Sequence, residues 1–290
     1  MNLGIFFAAL TILLFGSWAV PTKTLKIGPQ VQAFWLTIGH FVLSLIIFLF
    51  VAQSITISQS VMPFIAGVLW AIGITSGYIG IKHLGITRAL GLWIPIVIVT
   101  SALWGLVFFG EAKVLGTQKL IQTVIAIGLL ISAALAVILS SKGENKLGNI
   151  KIGIIASVTL GLIHGSFFVP LRASNLPIFV TFLPLTIGMI AATSLIAQIQ
   201  KLKLNYDFLS VFKMILAGLI LGGGNYTALL TIQHLGVAQG YPLTQLAIVI
   251  NTLWGTLVFK EATSAQGKIL IAFGVTIALI GAFILNSARI

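Results

Sequence analysis

Long apolar runs follow one another along the whole chain and are separated only by short polar breaks. A helix of about 20 residues crosses the roughly 30 Å of hydrocarbon in a bilayer, so each run is long enough to span a membrane. The pattern therefore predicts an all-α integral membrane protein. Ten spans are expected, near 3–21, 32–52, 61–82, 87–109, 115–140, 151–171, 177–199, 211–232, 236–258 and 266–287.

The longest polar stretch covers residues 140–146, at the midpoint of the chain. We interpret it as part of a linker between two units of five helices. The first repeat is then expected to cover residues 1–140, the linker 141–150 and the second repeat 151–290. The uniform hydropathy leaves no room for a catalytic or ligand-binding domain outside the membrane.

The two predicted units repeat short motifs in the same order. Each unit holds five spans, an odd number, so the second must enter the membrane in the direction opposite to the first. Inverted-topology repeats of this kind are typical of secondary transporters, in which two pseudo-symmetric halves open one midplane site to each side in turn. A duplicated channel or enzyme scaffold remains the alternative. The matched segments are residues 16–23 with 165–172, 37–39 with 186–188, 83–85 with 234–236 and 103–112 with 253–262.

The distribution of charged residues predicts how the chain is oriented in the membrane. Only 7% of the residues are charged, against about 25% in typical soluble domains. The 16 Lys and Arg residues give a net charge of +12 but stand singly at span ends, which argues against nucleic-acid binding. Twelve of them fall in odd-numbered connections and four on the other face. Cytoplasmic loops are enriched in such residues, so the count predicts a cytoplasmic linker and extracytoplasmic termini in the cytoplasmic membrane.

Enzyme chemistry lacks a recognisable residue set in this sequence. Cysteine is absent, so there is no disulfide framework and no thiolate metal site. No His-Glu-x-x-His motif, paired carboxylates or Ser-His-Asp set is present. We therefore predict that the protein is not an enzyme and uses no metal and no other cofactor. The expected partners are a small-molecule solute and the lipid bilayer, and the sequence leaves a homo-oligomer open.

Polar and aromatic residues deep in the spans are the natural candidates for a solute pathway, because such side chains are costly in lipid unless they face protein or water. Aromatic faces beside amides and hydroxyls suit a sugar, whose C–H groups stack while its hydroxyls form hydrogen bonds. Trp104 and Trp254, close to span ends, are expected instead to be interfacial anchors. The predicted substrate-binding residues are Trp18, Trp70, Tyr78, Trp93, His164, Phe168, Asn225, Tyr226, Gln245 and Asn251.

Two histidines could couple transport to protons, because histidine titrates near neutral pH. They are His40 and His164. His40 shares a helix face with Thr37 and Ser44, so a satisfied interhelical hydrogen bond is an equal alternative for it. No Asp or Glu lies in the middle of a span, which argues against an acidic proton relay or a site for a strongly cationic drug.

Helix breaks are expected near the matched prolines, where free backbone groups could bind a ligand or merely kink the helix. The predicted helix-break and gating residues are Pro21, Lys23, Pro170 and Arg172. At the ends of two other spans, ion pairs are expected between Glu111 and Lys113 and between Glu261 and Lys260.

The motifs resemble those of the drug/metabolite transporter superfamily, and most of all its glucose/ribose porter group of bacterial sugar-uptake proteins. The resemblance rests on Gly-Ser-x-x-Val-Pro-x-Lys/Arg at 16–23 and 165–172, on Trp-Gly-x-x-x-Phe-x-Glu-Ala at 104–112 and 254–262, and on the ten spans. It covers the whole chain and implies a ten-helix bundle whose inner helices form a central cavity. The fifth and tenth helices would be peripheral.

The expected function is a secondary transporter that moves a small neutral polar metabolite, such as glucose or ribose, by alternating access. An exporter of amino acids or related metabolites, also found in this superfamily, is the alternative, with Lys23 and Arg172 available to meet a carboxylate. The sequence leaves open the solute, the direction of transport and the energy source.

Overall fold

The computed structural model describes residues 3–51, 55–84, 86–139, 148–254, 258 and 265–288. Within these ranges the chain is helical and holds no strand. A short 3-10 turn covers Val20–Thr22 and a π-helical segment covers Trp104–Phe108. The α-helices are α1 (Leu3–Ser17), α2 (Pro29–Val51), α3 (Ile57–Leu84), α4 (Ile86–Leu103), α5 (Glu111–Leu139), α6 (Ile150–His164), α7 (Phe168–Ala173), α8 (Ile178–Ile199), α9 (Phe208–Leu235), α10 (Val237–Thr244), α11 (Ala247–Leu253) and α12 (Ala265–Ser287).

Eight helical stretches among the described residues are long and apolar enough to cross a membrane, and Leu92–Phe108 is a shorter apolar helix. The eight correspond to every predicted span except the fourth and ninth. The ninth predicted span is divided between α10 and α11, and its end lies outside the described residues. Large apolar side chains point outward: Phe50, Ile57 and Phe208 are 86%, 89% and 84% exposed. Lipid is the solvent that suits such a surface, so the chain is a multi-pass membrane protein.

Polar caps mark the start of two helices in the second half of the chain. The Asn149 side chain accepts hydrogen bonds from the backbone N–H groups of Lys151 and Ile152, at 3.0 and 3.3 Å, and starts α6. Asp207 starts α9 by accepting from the N–H of Ser210 at 3.0 Å. Hydrogen bonds from the Ser210 side chain and backbone hold the pKa of Asp207 below its usual range. Such caps satisfy N–H groups that have no partner within the helix.

Two close helix crossings form the centre of the bundle, and both are made by glycines. At the α2–α9 crossing, a Cβ atom added to Gly39 would lie 2.8 Å from the Cα of Gly218. At the α3–α8 crossing, a Cβ on Gly67 would lie 3.0 Å from the backbone N of Met189, and one on Gly188 would lie 3.2 Å from the Cα of Phe64. Only glycine allows backbones to approach so closely.

The contacts between helices occur in pairs. The repeated motifs lie 149 residues apart in the first two predicted spans, 151 in the third and 150 in the fourth, and residues related in this way are called matched below. Gly39 is matched to Gly188, and Gly67 to Gly218. The helices follow the same rule, since α3 packs on α6 and α8 while α9 packs on α1 and α2. The long helices α5 and α12 pack against each other.

Hydroxyl groups join α2 to α8. The Thr37 and Thr193 hydroxyls are 2.9 Å apart, and those of Ser44 and Thr186 are 2.6 Å apart. The two pairs are related to each other by the repeat, because Thr37 is matched to Thr186 and Ser44 to Thr193. Each hydroxyl also bonds a carbonyl of its own helix. These groups are therefore satisfied without water, as a lipid-embedded bundle requires.

Both proline motifs lie at interruptions of a helix. Pro21 stands in the 3-10 turn that follows α1, and Pro170 is the third residue of α7, after a break that begins at Gly165. Proline lacks an N–H and disfavours helical geometry in the residue before it, so a long helix ends near it. The start of α5 is interrupted as well, because Gly116 has a φ of 71°. A positive φ is open to glycine at little cost, and here it separates the turn that carries Glu111 from the rest of α5.

Candidate solute-binding site

A cavity of about 80 Å³ lies at the centre of the bundle, between helices from both halves of the chain. Of the side chains around it that the structure describes, none carries a carboxylate. The lining combines three indoles with amides, one imidazole and aliphatic groups. Its residues are Phe15, Trp18, Trp70, Ile74, Leu90, Trp93, Ile94, Val97, Leu160, His164, Leu221, Asn225, Tyr241, Gln245, Ala247, Ile248 and Asn251.

Seven of the ten predicted substrate-binding residues meet in this lining. They come from the first, third, fourth, sixth, eighth and ninth predicted spans. The sequence could propose each residue singly, but only the structure shows that their side chains surround one cavity. The seven are Trp18, Trp70, Trp93, His164, Asn225, Gln245 and Asn251.

The other three, Tyr78, Phe168 and Tyr226, are not part of the central lining. Tyr78 is one turn beyond Ile74 on α3 and packs edge-on against Trp18, with ring centroids 5.8 Å apart. Tyr226 follows Asn225, so it points about 100° away around the helix and packs on Phe182 of α8. Tyr78 and Tyr226 therefore support neighbouring side chains from outside the cavity.

Phe168 belongs to a second cavity of about 340 Å³ between α7, the start of α8 and the end of α9. That lining is mainly apolar, with Thr181, Gln233 and Arg172 as its polar members. The Phe168 ring packs on Tyr241, whose own ring lines the central cavity, with centroids 5.4 Å apart. These two rings thus stand between the two cavities.

Nine apolar lining residues are absent from the predicted set, because polarity was the guide to it. Three of them, Phe15, Leu221 and Ile74, are matched to the predicted residues His164, Trp70 and Asn225 in that order. The repeat could have found these three, because both members of each of these matched pairs line the cavity. Most of the other lining residues have matches that lie outside the lining, so the repeat alone does not define the cavity. Tyr241, also in the lining, is a further phenol that the predicted set omits.

His40 lies behind the cavity wall and forms the interhelical hydrogen bond that the sequence offered as an alternative to proton coupling. Its Nε2 is 2.9 Å from Nδ2 of Asn225, and its Nδ1 is 3.2 Å from the carbonyl oxygen of Leu36. The side chain is fully buried. His40 does not line the cavity, so it can affect a solute only through lining residues that it contacts, such as Asn225.

The Trp70 ring is held between the two histidines. Its centroid lies 4.7 Å from that of His40 and 5.2 Å from that of His164, and the His164 ring is stacked on it at 20°. Nε2 of His164 is also 3.2 Å from the Trp70 carbonyl oxygen. The contacts fix the plane of the indole, which is what a stacking surface for a ligand needs. A proton-coupling role for either histidine stays a prediction.

At the end of the bundle, Glu111 binds a partner that the sequence did not indicate. Its Oε1 lies 2.7 Å from Nη1 of Arg172 and not beside Lys113, which corrects the expected pair. The two carboxylate oxygens also accept hydrogen bonds from the N–H groups of Val237 and Ala238, at 2.9 and 2.8 Å, where α10 begins. A helix N-terminus favours a carboxylate, and the isolated first turn of α5 brings one there. The second expected pair, Glu261 with Lys260, lies outside the described residues.

The predicted gating residues fall in these same end regions. Arg172 sits over the Phe109 ring, with its guanidinium carbon 4.2 Å from the centroid, in addition to its ion pair. Lys23 is the residue that ends the 3-10 turn containing Pro21. Pro21, Lys23, Pro170 and Arg172 are thus at helix ends and not in the central lining.

A multi-pass helical bundle with a small aromatic and polar cavity at its centre is the architecture of a membrane transport protein. The chain belongs to the family described as "Sugar transport protein", whose profile matches residues 6–288. It is a family of bacterial sugar-uptake transporters, not of enzymes.

Relatives match along almost their whole length. The chain is 27% identical to the "Glucose uptake protein GlcU" of Bacillus subtilis (strain 168), over 97% of both chains. It is 26% identical to the "Probable glucose uptake protein GlcU" of Priestia megaterium, over 98% of this chain and 99% of that one. A solved structure, described only as "Crystal structure of protein", is 16% identical, has a TM-score of 0.69 and covers 97% of each chain. This last likeness concerns the fold alone.

Proposed function

We propose that the protein is a secondary transporter that carries a small neutral sugar, such as glucose or ribose, across the cytoplasmic membrane by alternating access. The observation that carries the proposal is the central cavity, in a chain of a sugar transport family. There the indoles of Trp18, Trp70 and Trp93 meet the amides of Asn225 and Gln245. Indole faces stack on the C–H faces of a sugar, and each amide offers both a donor and an acceptor to hydroxyls.

The proposed architecture is ten spans arranged as two inverted units, 1–140 and 151–290, joined by a cytoplasmic linker. The matched contacts support it, because the Gly39–Gly218 crossing has its counterpart at Gly67 and Gly188. Alternating access follows from such symmetry, since each unit can adopt the conformation of the other. The cavity of about 80 Å³ is smaller than the roughly 300 Å³ at which ligand pockets typically start, so we propose that it widens when a sugar binds.

An export function for amino acids is less well supported. Such a solute carries a carboxylate, and the proposed partner Arg172 already binds the carboxylate of Glu111 at 2.7 Å. The described cavity lining contains neither lysine nor arginine. A neutral solute therefore suits the cavity better than a zwitterion.

Transport by the purified protein in sealed liposomes tests the proposal. Labelled glucose, ribose and a panel of amino acids are supplied one at a time, with and without a pH gradient. Saturable sugar entry is the expected result, whereas amino-acid movement without sugar movement would favour the exporter. Dependence on the pH gradient would support a coupling role for His40 or His164, and its absence would remove that role.

Two substitutions locate the site. Asn225→Leu and Gln245→Leu should abolish sugar uptake while the protein remains folded in the membrane, because each removes a polar group from the cavity lining. The control is Gln198→Leu, which makes the same kind of substitution at an exposed amide near the end of α8 and should leave uptake unchanged. Unaltered transport by both cavity variants would exclude them from the site.

A further inference from the structure

We infer that His40 is a positioning residue, which orients the amide of Asn225 so that its carbonyl oxygen faces the cavity and accepts a hydrogen bond from one hydroxyl of the solute. The inference rests on the proposed function, because it concerns how the same cavity selects a sugar. It assigns a stereochemical role to a side chain that never touches the solute.

The orientation begins with a backbone carbonyl. Oxygen of Leu36 can only accept, and it lies 3.2 Å from Nδ1 of His40, so Nδ1 must carry the proton. A neutral imidazole has a single N–H, which leaves Nε2 as an acceptor. Nε2 is 2.9 Å from Nδ2 of Asn225, an atom that can only donate. The three groups thus form one consistent chain of donors and acceptors.

Turning the amide around would break this chain. Oδ1 of Asn225 would then face the lone pair of Nε2, with no proton between the two acceptors. The other histidine tautomer would supply that proton but would set the lone pair of Nδ1 against the Leu36 carbonyl. Either change costs a buried hydrogen bond, so the amide has one preferred orientation. With Nδ2 bonded to His40, Oδ1 is the amide atom that faces the cavity, and no described protein group donates a hydrogen bond to it.

Packing prevents His40 from moving away. The ring is fully buried, and Asn225 is only 2% exposed. His40 follows Gly39 at the close α2–α9 crossing, and a Cβ atom on Gly222 would lie 3.3 Å from the imidazole Cδ2. The Trp70 ring is a further neighbour, with its centroid 4.7 Å from that of the imidazole. The acceptor at Nε2 is therefore fixed in place before any solute enters.

The matched position shows that the crossing itself does not require a histidine. Met189 is matched to His40 and is fully buried at the α3–α8 crossing, and Ile74 is matched to Asn225. Two apolar, buried residues therefore occupy the matched positions. This identifies His40→Met as the variant that replaces the Nε2 acceptor with a weakly accepting thioether, in a side chain that is buried at the matched position. His40→Gln is the rescue variant, because its Oε1 can accept from Asn225 in place of Nε2.

The experiment measures competition between labelled glucose and a series of glucose analogues, each with one hydroxyl replaced by fluorine, in protein-loaded liposomes. Fluorine cannot donate a hydrogen bond, so the analogue altered at the hydroxyl that meets Asn225 should bind about three- to tenfold more weakly than the others. This difference between analogues should vanish in His40→Met and return in His40→Gln.

The outcomes separate the inference from the function on which it rests. No glucose uptake or competition by the wild-type protein would sink both. Wild-type competition with a positional difference that persists in His40→Met would overturn the inference and leave the proposed function intact. An independent measurement needs no folded variant: ¹⁵N NMR of the wild-type protein with labelled histidine should show His40 protonated at Nδ1. Protonation at Nε2 would equally overturn the inference.

Discussion

The indole N–H of Trp104 donates a hydrogen bond to the Ser166 hydroxyl at 2.8 Å, and this bond joins the π-helical segment after α4 to the break between α6 and α7. The matched residues form the same bond, from Trp254 to Ser17, at 2.9 Å. Both serines follow the glycine of a repeated motif. That the two indoles are interfacial anchors stays a prediction, and the structure adds that each indole N–H donates to a serine of the other half of the chain.

The Trp104–Ser166 bond should contribute measurably to stability. Trp104→Phe and Ser166→Ala each remove one partner, and in the double variant both are absent. We expect a coupling of about 0.6 kcal/mol, the average for interhelical bonds in a membrane bundle, from a double-mutant cycle on unfolding in detergent.

A control for this cycle comes from α2. The Trp35 indole nitrogen is buried and has no hydrogen-bond partner among the described residues. Trp35→Phe combined with Ser166→Ala should therefore give additive losses. Additive losses for Trp104→Phe with Ser166→Ala would contradict the predicted bond.

The repeat in the sequence predicted where helices lie, but not which motif meets which. The Gly-Ser and Trp-Gly motifs could be aligned within the chain, yet the bond from Trp104 to Ser166 links the fourth predicted span of one unit to the first of the other. His40 shows the opposite case. Its helix face, shared with Thr37 and Ser44, predicted interhelical bonding, and all three residues bond across to α8 or α9. A polar helix face is visible in a sequence, whereas the identity of a partner depends on packing.

Glu111 should stabilise the bundle through both its ion pair and its helix cap. Glu111→Ala removes the acceptor for Val237 and Ala238 as well as the charge that faces Arg172, so we expect a loss of about 1.5–3 kcal/mol. Arg172→Gln removes the ion pair and the contact with the Phe109 ring but leaves the helix cap, and since the arginine is 40% exposed it should cost less. Unfolding of each variant in detergent provides the measurement.

A charge exchange distinguishes this arrangement from a simple ion pair. Glu111→Arg combined with Arg172→Glu restores opposite charges but places a cation at the N-terminus of α10, where the backbone N–H groups repel it. We expect no rescue. Recovery of wild-type stability in the exchanged protein would show that the cap contributes nothing. Lys113→Gln is the control, since the exposed lysine lies outside the pair and its loss should change stability by less than about 0.5 kcal/mol.

The partner of Glu111 illustrates why part of the site could not be predicted. Sequence proximity favoured Lys113, but a carboxylate at the end of a span can turn towards any helix end that packs nearby. The positive φ of Gly116 separates the turn that carries Glu111 from the rest of α5, and Arg172 is 61 residues away from Glu111 in the chain. The same limit applied to Tyr226, because a difference of one helix position decides whether a ring enters the cavity or packs on Phe182.

The glycine crossings should not tolerate even one methyl group. Gly39→Ala and Gly218→Ala each place a Cβ atom against the backbone of the partner helix, where nothing flexible can move aside. Overpacking of this kind costs about 1–3 kcal/mol, so we expect lower thermal stability and less folded protein in the membrane. Gly128→Ala is the control, since an added Cβ atom meets nothing within 4 Å in α5 and should stabilise the helix slightly. Equal stability of the crossing variants and the control would contradict the close contact.

The proposed orientation can be tested with single cysteines, because the natural chain contains none. Ser58 and Asn205 are both exposed, the first beside the α2–α3 connection and the second in the α8–α9 connection. The distribution of lysine and arginine assigns the α2–α3 connection to the outside and the α8–α9 connection to the cytoplasm. A membrane-impermeant maleimide should therefore label Ser58→Cys in intact cells and reach Asn205→Cys only after the cells are opened.

The same two positions also test whether the halves are inverted. Ser58 lies in the first turn of α3, and Asn205 lies just before its counterpart α9, so two inverted units must present these positions on opposite sides of the membrane. Labelling of both in intact cells, or of neither, would mean that the units run in the same direction. Alternating access by exchange of conformations between inverted halves would then lose its structural basis, even if sugar transport were observed. Labelling of Asn205→Cys alone would keep the inversion and reverse only the predicted sidedness.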